Sequence, residues 1–311
     1  MTSAAPAAER GWAAAALVFN AFSFGLSWWP FRHVAALGVH PLWLTGFSYS
    51  AVVIALLLVR PAALLELLRS PALWALLVAA GATNACFNWA VSIGDVVRVV
   101  LLFYLMPLWT VLLARLLLGE RISTRGAVRV ALALAGAVVV LWPAAGGPAD
   151  LRAGLQRDGQ VGLHLPDLHL PDLLALLGGM GFALNNVLLR RAAASSRAAS
   201  ALAMFAGGAL VALLLAGLLS QAGTVAWPAA PAPGWVLVAA ALAGWLLLAN
   251  LALQYGAARL PANTVSVILI TEVAFASGSA VWLGAGSLGP QVLLGGVLIG
   301  AAALLAALQR D

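Results

Sequence analysis

Apolar residues run along this chain in ten continuous stretches of about 20 residues, separated by short polar connections. A run of that length fits a bilayer core roughly 30 Å thick. Inside lipid only helices or closed barrels satisfy the polar groups of the backbone. The runs are rich in Ala and Leu and do not alternate, which selects helices over a barrel. The pattern predicts spans over Trp12–Trp29, Pro41–Val59, Pro71–Ser92, Val97–Leu117, Arg125–Trp142, Pro171–Leu189, Ala198–Leu219, Gly234–Tyr255, Asn263–Leu283 and Gly289–Leu308.

A second pattern lies over the first. The segment N-W-A-V-S-I-G at Asn88, the apolar helix through Leu105-Met106-Pro107-Leu108 and the ending L-L-L-G-E at Leu116–Glu120 return in weakened form. The later copy reads N-L-A-L-Q-Y-G from Asn250, then Thr271-Glu272-Val273-Ala274, then W-L-G-A-G at Trp282–Gly286. The two helices are spans four and nine, so each copy holds five spans. An odd number makes the second copy enter the membrane upside down, an arrangement by which many secondary transporters build mirror-related gates around a central site. The fold class expected is therefore an all-α polytopic membrane protein, ten transmembrane helices in a 5+5 inverted repeat.

Composition sharpens this reading. The 311 residues are 64% hydrophobic and 8% charged, against about 25% charged in a soluble domain. All sixteen basic residues are arginine. With both termini cytoplasmic, only Arg32, Arg98, Arg152 and Arg157 fall outside and the remaining twelve of the sixteen fall inside, a positive-inside bias. The charges sit in short loops that face anionic lipid, which argues against nucleic acid as a partner. The first segment lacks the basic n-region of a removable signal peptide and is expected to remain as a span. Cys86 is the sole cysteine, so no internal disulfide is possible, and its apolar setting points to an inert thiol.

The loops exclude other classes. A Walker P-loop needs a lysine that the chain does not have, and no connection is long enough for a soluble ATPase module. The longest connection, 143–170, carries a tandem H-L-P-D-L at His164–Leu168 and His169–Leu173. His164, Asp167, His169 and Asp172 can be read as metal ligands, but no second ligand cluster supports that. A duplicated loop whose Pro171-Asp172 opens span six is the preferred reading. Ala127, Ala131 and Ala135 in span five, and Gly296 and Gly300 in span ten, form small-residue faces suited to close helix packing. The S-G-S at Ser277–Ser279 invites a comparison with serine hydrolases. A base is missing, because His33, His40, His164 and His169 all lie outside the spans, so no catalytic residue and no enzyme activity are expected.

Several segments resemble a known family. They are Phe24-Gly25-Leu26-Ser27-Trp28 in span one, Pro107 within span four, Leu118-Gly119-Glu120 followed by Arg121-Ile122-Ser123, A-L-N-N-V-L-L-R-R at Ala183–Arg191, and Glu272-Val273. Together the halves are similar to EamA domains of the drug/metabolite transporter superfamily, most like the YddG-type amino-acid exporters. The resemblance implies a first EamA-like five-helix repeat over 11–143, a periplasmic linker over 144–170 and a second repeat over 171–308. It also implies a secondary transporter that exports amino acids, aromatic and apolar ones included, across a bacterial inner membrane by alternating access. An exporter of another small metabolite or a cationic drug is the alternative. Two departures stand out: Ala285-Gly286 replace the Gly-Glu that ends span four, and Phe47-Ser48-Tyr49 occupy span two where the family commonly has Arg.

Candidate site residues follow from membrane depth. Glu272 lies nine residues past Asn263, about 14 Å along a helix and so near the midplane. A carboxylate there needs water, a partner or a substrate; it suits a substrate ammonium or a proton carrier. Pro107 lies at the corresponding depth in span four, where a proline kinks the helix and frees a carbonyl near Phe103, so it is the gating candidate. Among the intramembrane amides, Asn20, Asn84 and Asn186 are the substrate-binding candidates, while the equivalent pair Asn88 and Asn250 is read as helix glue. Tyr104 and Trp109 lie mid-span, away from any headgroup, and are candidates for an apolar wall. Asp95 and Arg98, three residues apart, can pair or belong to an external gate. Neither cofactor nor metal is expected. The partners are a small-molecule substrate and membrane lipid. One carboxylate permits proton antiport or uniport, and the carrier is expected to work as a monomer.

Overall fold

In a computed structural model the residues 7–118, 124–141, 168–191, 195–228, 233–260 and 262–307 are described. They are helical almost throughout, with no strand among them. The helices are α1 (Ala7–Gly25), α2 (Trp28–Ala36), α3 (Pro41–Val59), α4 (Ala62–Arg69), α5 (Pro71–Ile93), α6 (Val96–Phe103) and α7 (Met106–Leu118). They continue as α8 (Thr124–Leu141), α9 (Leu170–Arg191), α10 (Arg197–Gln221), α11 (Pro233–Ala257), α12 (Ala262–Leu269), α13 (Thr271–Trp282) and α14 (Pro290–Ala307). Among the described residues, six stretches are long and apolar enough to cross a membrane. Three shorter apolar stretches lie at Gly126–Leu141, Val267–Trp282 and Pro290–Leu305. Large apolar side chains such as Leu58, Val59, Leu116, Leu237 and Trp282 are exposed. A soluble protein rarely presents so much contiguous apolar surface; here it is a lipid-facing coat, and the chain is a multi-pass membrane protein.

Close packing is set by small residues. The α5–α10 crossing brings Gly81 and Gly207 so near that a Cβ on either would collide with the other helix, Gly207 against the Leu77 carbonyl. Gly46 of α3 lies under Leu213 of α10, and Gly208 lies under the Tyr49 ring. On the opposite side Gly136 of α8 and Gly295 of α14 each approach the other's carbonyl. Such faces let backbones meet at short range in lipid, where dispersion must supply the attraction that water cannot. The sequence singled out Gly296 and Gly300 in α14. Gly295 makes the closest approach, Gly296 touches Leu101, and Gly300 has open space around it.

Three of the predicted spans are interrupted rather than continuous. Span one breaks between α1 and α2. There Ser27 Oγ donates to the Phe24 carbonyl, and Pro30 has no N–H to offer Leu26, four residues back. Span four breaks at Tyr104 and Leu105, between α6 and α7. Pro107 enters as the second residue of α7, a first-turn position where a missing N–H costs nothing. The Phe103 carbonyl is left without its usual donor and lies against Gly179 of α9, where a Cβ would approach it to 2.5 Å. Span nine breaks at Ile270 without any proline. There Thr271 Oγ1 donates to the Ile268 carbonyl at 2.6 Å, a local bond that competes with the helix ladder.

Candidate functional site

The breaks in spans four and nine face one another. The α6–α13 packing brings Tyr104, at the first break, to Glu272, the second residue of α13. The Tyr104 hydroxyl interacts with the Glu272 carboxylate and lies 3.5 Å from the Leu269 carbonyl, the last residue of α12. Tyr104 is buried and Glu272 half-buried. The first turn of α13 carries orphan N–H groups and the positive end of a helix dipole, a setting that favours a carboxylate. Glu272 therefore sits at a half-helix N-terminus, not in the middle of a continuous helix. A helix interruption in lipid is tolerated where the freed groups find protein partners or line a cavity.

α1 closes one flank of this junction. Gly25 lies over Phe275, Ala276 and the Glu272 carbonyl, with no room for a Cβ. Phe22 meets Phe275 edge to face at 5.5 Å. Trp28 Nε1 donates to Ser279 Oγ at 3.0 Å, and Ser279 Oγ donates to the Ala276 carbonyl. The hydroxyl that invited a catalytic comparison is thus occupied on both sides by helix packing.

The other candidates are distributed differently. Asn20 is buried and donates to the Ala249 carbonyl of α11 at 2.8 Å. Asn84 accepts from the Tyr49 hydroxyl at 2.8 Å and donates to the Ala80 carbonyl. Both amides join helices through these bonds. Asn88 donates to Thr45 Oγ1, while Gln254 donates to Asn250 Oδ1. Asn186 is half-buried on α9. Trp109, also half-buried, has an indole N–H with no partner among the described residues. Of the candidates, the structure brings together Tyr104 and Glu272. Pro107 lies three residues past Tyr104, at the start of the second half-helix.

At one end of the bundle a polar clasp joins α2, α5, α6 and α9 with the connection between α13 and α14. It was legible only in part. Asp95 caps α6 by accepting the Arg98 backbone N–H at 3.0 Å. It also accepts from the Ser287 backbone at 2.9 Å, in the connection between α13 and α14. The Arg98 side chain turns away from Asp95 and grips Asp172 of α9 with two hydrogen bonds, at 2.7 and 2.9 Å. Asp172 reaches back to the His169 N–H, as an acid in the first turn of a helix does. Arg32 donates to the Val91 and Gly94 carbonyls. Among the described residues no group of three or more acids, histidines or cysteines is arranged for a metal. His164 and Asp167 lie outside the described residues.

At the other end, Arg259 pairs with Glu9 at 2.9 Å. Glu66 of α4 accepts from both the backbone N–H and the hydroxyl of Ser196. Those two donors hold the Glu66 carboxyl below the usual carboxylate range.

No curated protein matches this chain. A solved crystal structure aligns with 94% of it and 96% of its own length, at 22% identity and a TM-score of 0.52, a likeness of fold. Residues 11–142 match the EamA-like transporter family, so the first part of this membrane protein carries an EamA-like transporter domain.

Proposed function

We propose that this chain is a secondary carrier that exports amino acids, aromatic and apolar ones included, across a bacterial inner membrane by alternating access. It is built as ten spans in a 5+5 inverted repeat and works as a monomer. Both termini and the Arg259 end face the cytoplasm, and the Arg98 end faces the periplasm. The observation that carries this reading is the pair of broken helices in spans four and nine, meeting at Tyr104 and Glu272. Discontinuous helices at membrane depth, in corresponding places of two repeats, are how many carriers form a substrate site. The packing scheme supports the repeat. Exchanging the halves turns the α1–α11 pair into α9–α5, and returns α3–α10 and α8–α14 to themselves.

In this mechanism Glu272 receives the substrate ammonium and Tyr104 orients the carboxylate, with Trp109 and Asn186 as further substrate-binding candidates. The helix bonds of Asn20 and Asn84 hold the walls. Pro107 lets α7 swing on α6 at the break. Another small metabolite or a cationic drug would use the same carboxylate as countercharge. The test is counterflow of labelled amino acids in proteoliposomes, with and without a pH gradient. Glu272→Gln should weaken affinity ten- to over a hundredfold, the loss of a charge-assisted hydrogen bond of about 1.5–3 kcal/mol. If Glu272 carries a proton instead, binding survives and the pH dependence of flux disappears. Unchanged kinetics across pH in a folded Gln variant would leave Glu272 as packing.

A further inference from the structure

Beside the clasp lies an open cavity of about 430 Å³, within the range of about 300–1,000 Å³ typical of small-molecule sites. Its walls come from both parts of the chain: Arg32 of α2, Ser92 and Ile93 at the end of α5, Asp95, and Ala285 and Ser287 between α13 and α14. Two opposite charges therefore share one small polar cavity. Each is fixed before any ligand arrives. Arg32 is tied by Nε to the Val91 carbonyl at 2.8 Å and by one terminal nitrogen to the Gly94 carbonyl. A guanidinium has five N–H donors, so donors remain. Asp95 is held by the Arg98 and Ser287 backbone N–H groups and by the Ser287 hydroxyl and keeps a free lone pair on Oδ1, since a carboxylate has about four acceptor sites. Burial holds Arg32 below the usual arginine range, and the nearby Asp95 carboxylate opposes that pull. Gly286 keeps space beside Asp95: a Cβ there would lie 3.3 Å from Oδ1. Ile93 is 48% exposed and forms an apolar lip.

We propose that this cavity is a second ligand site, which takes a free amino acid as its zwitterion, carboxylate toward Arg32 and ammonium toward Asp95. Ile93 then meets the side chain. Fixed donors and acceptors cost little ordering on binding. The proposal rests on the amino-acid reading above but uses none of the midplane residues. One wall is the Ala285–Ser287 segment, stitched to the first repeat by the Val96 N–H on the Ala285 carbonyl. A bound zwitterion therefore bridges the same seam that the clasp closes.

The full chain in nanodiscs, dialysed against radiolabelled phenylalanine, tests this. Two phenylalanines per chain are expected. Arg32→Gln and, independently, Ile93→Trp, which fills the cavity without touching either charge, should each remove one. Phenethylamine, lacking the carboxylate, and N-acetylphenylalanine, lacking the ammonium, should fail to displace the phenylalanine that these variants lose. A single bound phenylalanine that both variants retain would overturn the second site and leave the midplane reading intact. One phenylalanine lost in both variants but kept in Glu272→Gln would uphold this site and sink the midplane one. No binding at all would overturn both.

Discussion

The two ends of the molecule are each tied by an arginine–carboxylate pair, and the pairs are built differently. Arg98 grips Asp172 with two bonds, and the side chains are 27% and 4% exposed. Arg259 meets Glu9 with one bond, and the side chains are 34% and 39% exposed; its guanidinium also lies 3.8 Å over the Tyr255 ring. A bidentate pair with one partner buried is directional and shielded from salt. An exposed single bond contributes about 0–1 kcal/mol. Around Arg98 the clasp adds Asp95, Ser287 and Arg32. Among the described residues, the Arg98 end is thus held by a connected network and the Arg259 end by separate, exposed contacts.

The strongest way to break this comparison is Asp172→Ala. It leaves Arg98 partly buried without its partner and removes the acceptor for the His169 N–H, an expected loss of about 3 kcal/mol, read as a lowered unfolding midpoint in detergent. A loss no larger than that of Glu9→Ala would erase the distinction between the ends. Next is Gly179→Ala, where the new Cβ would meet the Phe103 carbonyl at 2.5 Å. The three nearest atoms are all Phe103 backbone, so α9 must move away from α6 at a cost of about 1–3 kcal/mol. The same unfolding measurement checks it, and an unchanged midpoint would mean that the broken helix has room to shift. Glu9→Ala should change stability by about 0.5 kcal/mol or less, and high salt should abolish even that. The smallest effect belongs to Glu66. Its carboxyl is held below the ordinary range by Ser196, so its contribution is present above that range. The contribution should vanish as pH falls through the lowered value. The difference in midpoint between the parent and Glu66→Gln should accordingly shrink only in acid; a difference that persists there would mean that the contact does not depend on charge.

The helices were legible because lipid imposes a strong rule on their length and composition, and every predicted span has a helical counterpart. The interruptions were half legible. Pro107 signals a break near Phe103, and the break lies at Tyr104–Leu105. Ile270 has no such mark, because the competitor there is the Thr271 hydroxyl, a residue common in intact helices. Asp95 and Arg98 were visible as charges, but spacing alone suggested that they pair together. The structure hands Arg98 to Asp172, 74 residues away, a partnership with no local signature. The amides show the same limit: Asn20 and Asn84 stand at membrane depth as a ligand-binding group would. Only the fold reveals Ala249 and Tyr49 at bonding distance.

The bond from Asn20 to Ala249 spans 229 residues, and that sets a schedule for biogenesis. In the proposed ten-span arrangement α1 enters the membrane well before α11, carrying an amide whose acceptor is made only when α11 follows. Glu9 waits still longer for Arg259. Until α11 is made, α1 in that arrangement holds an unsatisfied polar group in lipid, a state that costs several kcal/mol per group. It must either stay beside the insertion machinery or borrow a temporary partner. Truncation after α9 should therefore leave α1 loosely inserted, whereas a chain extended through α11 should hold it fast.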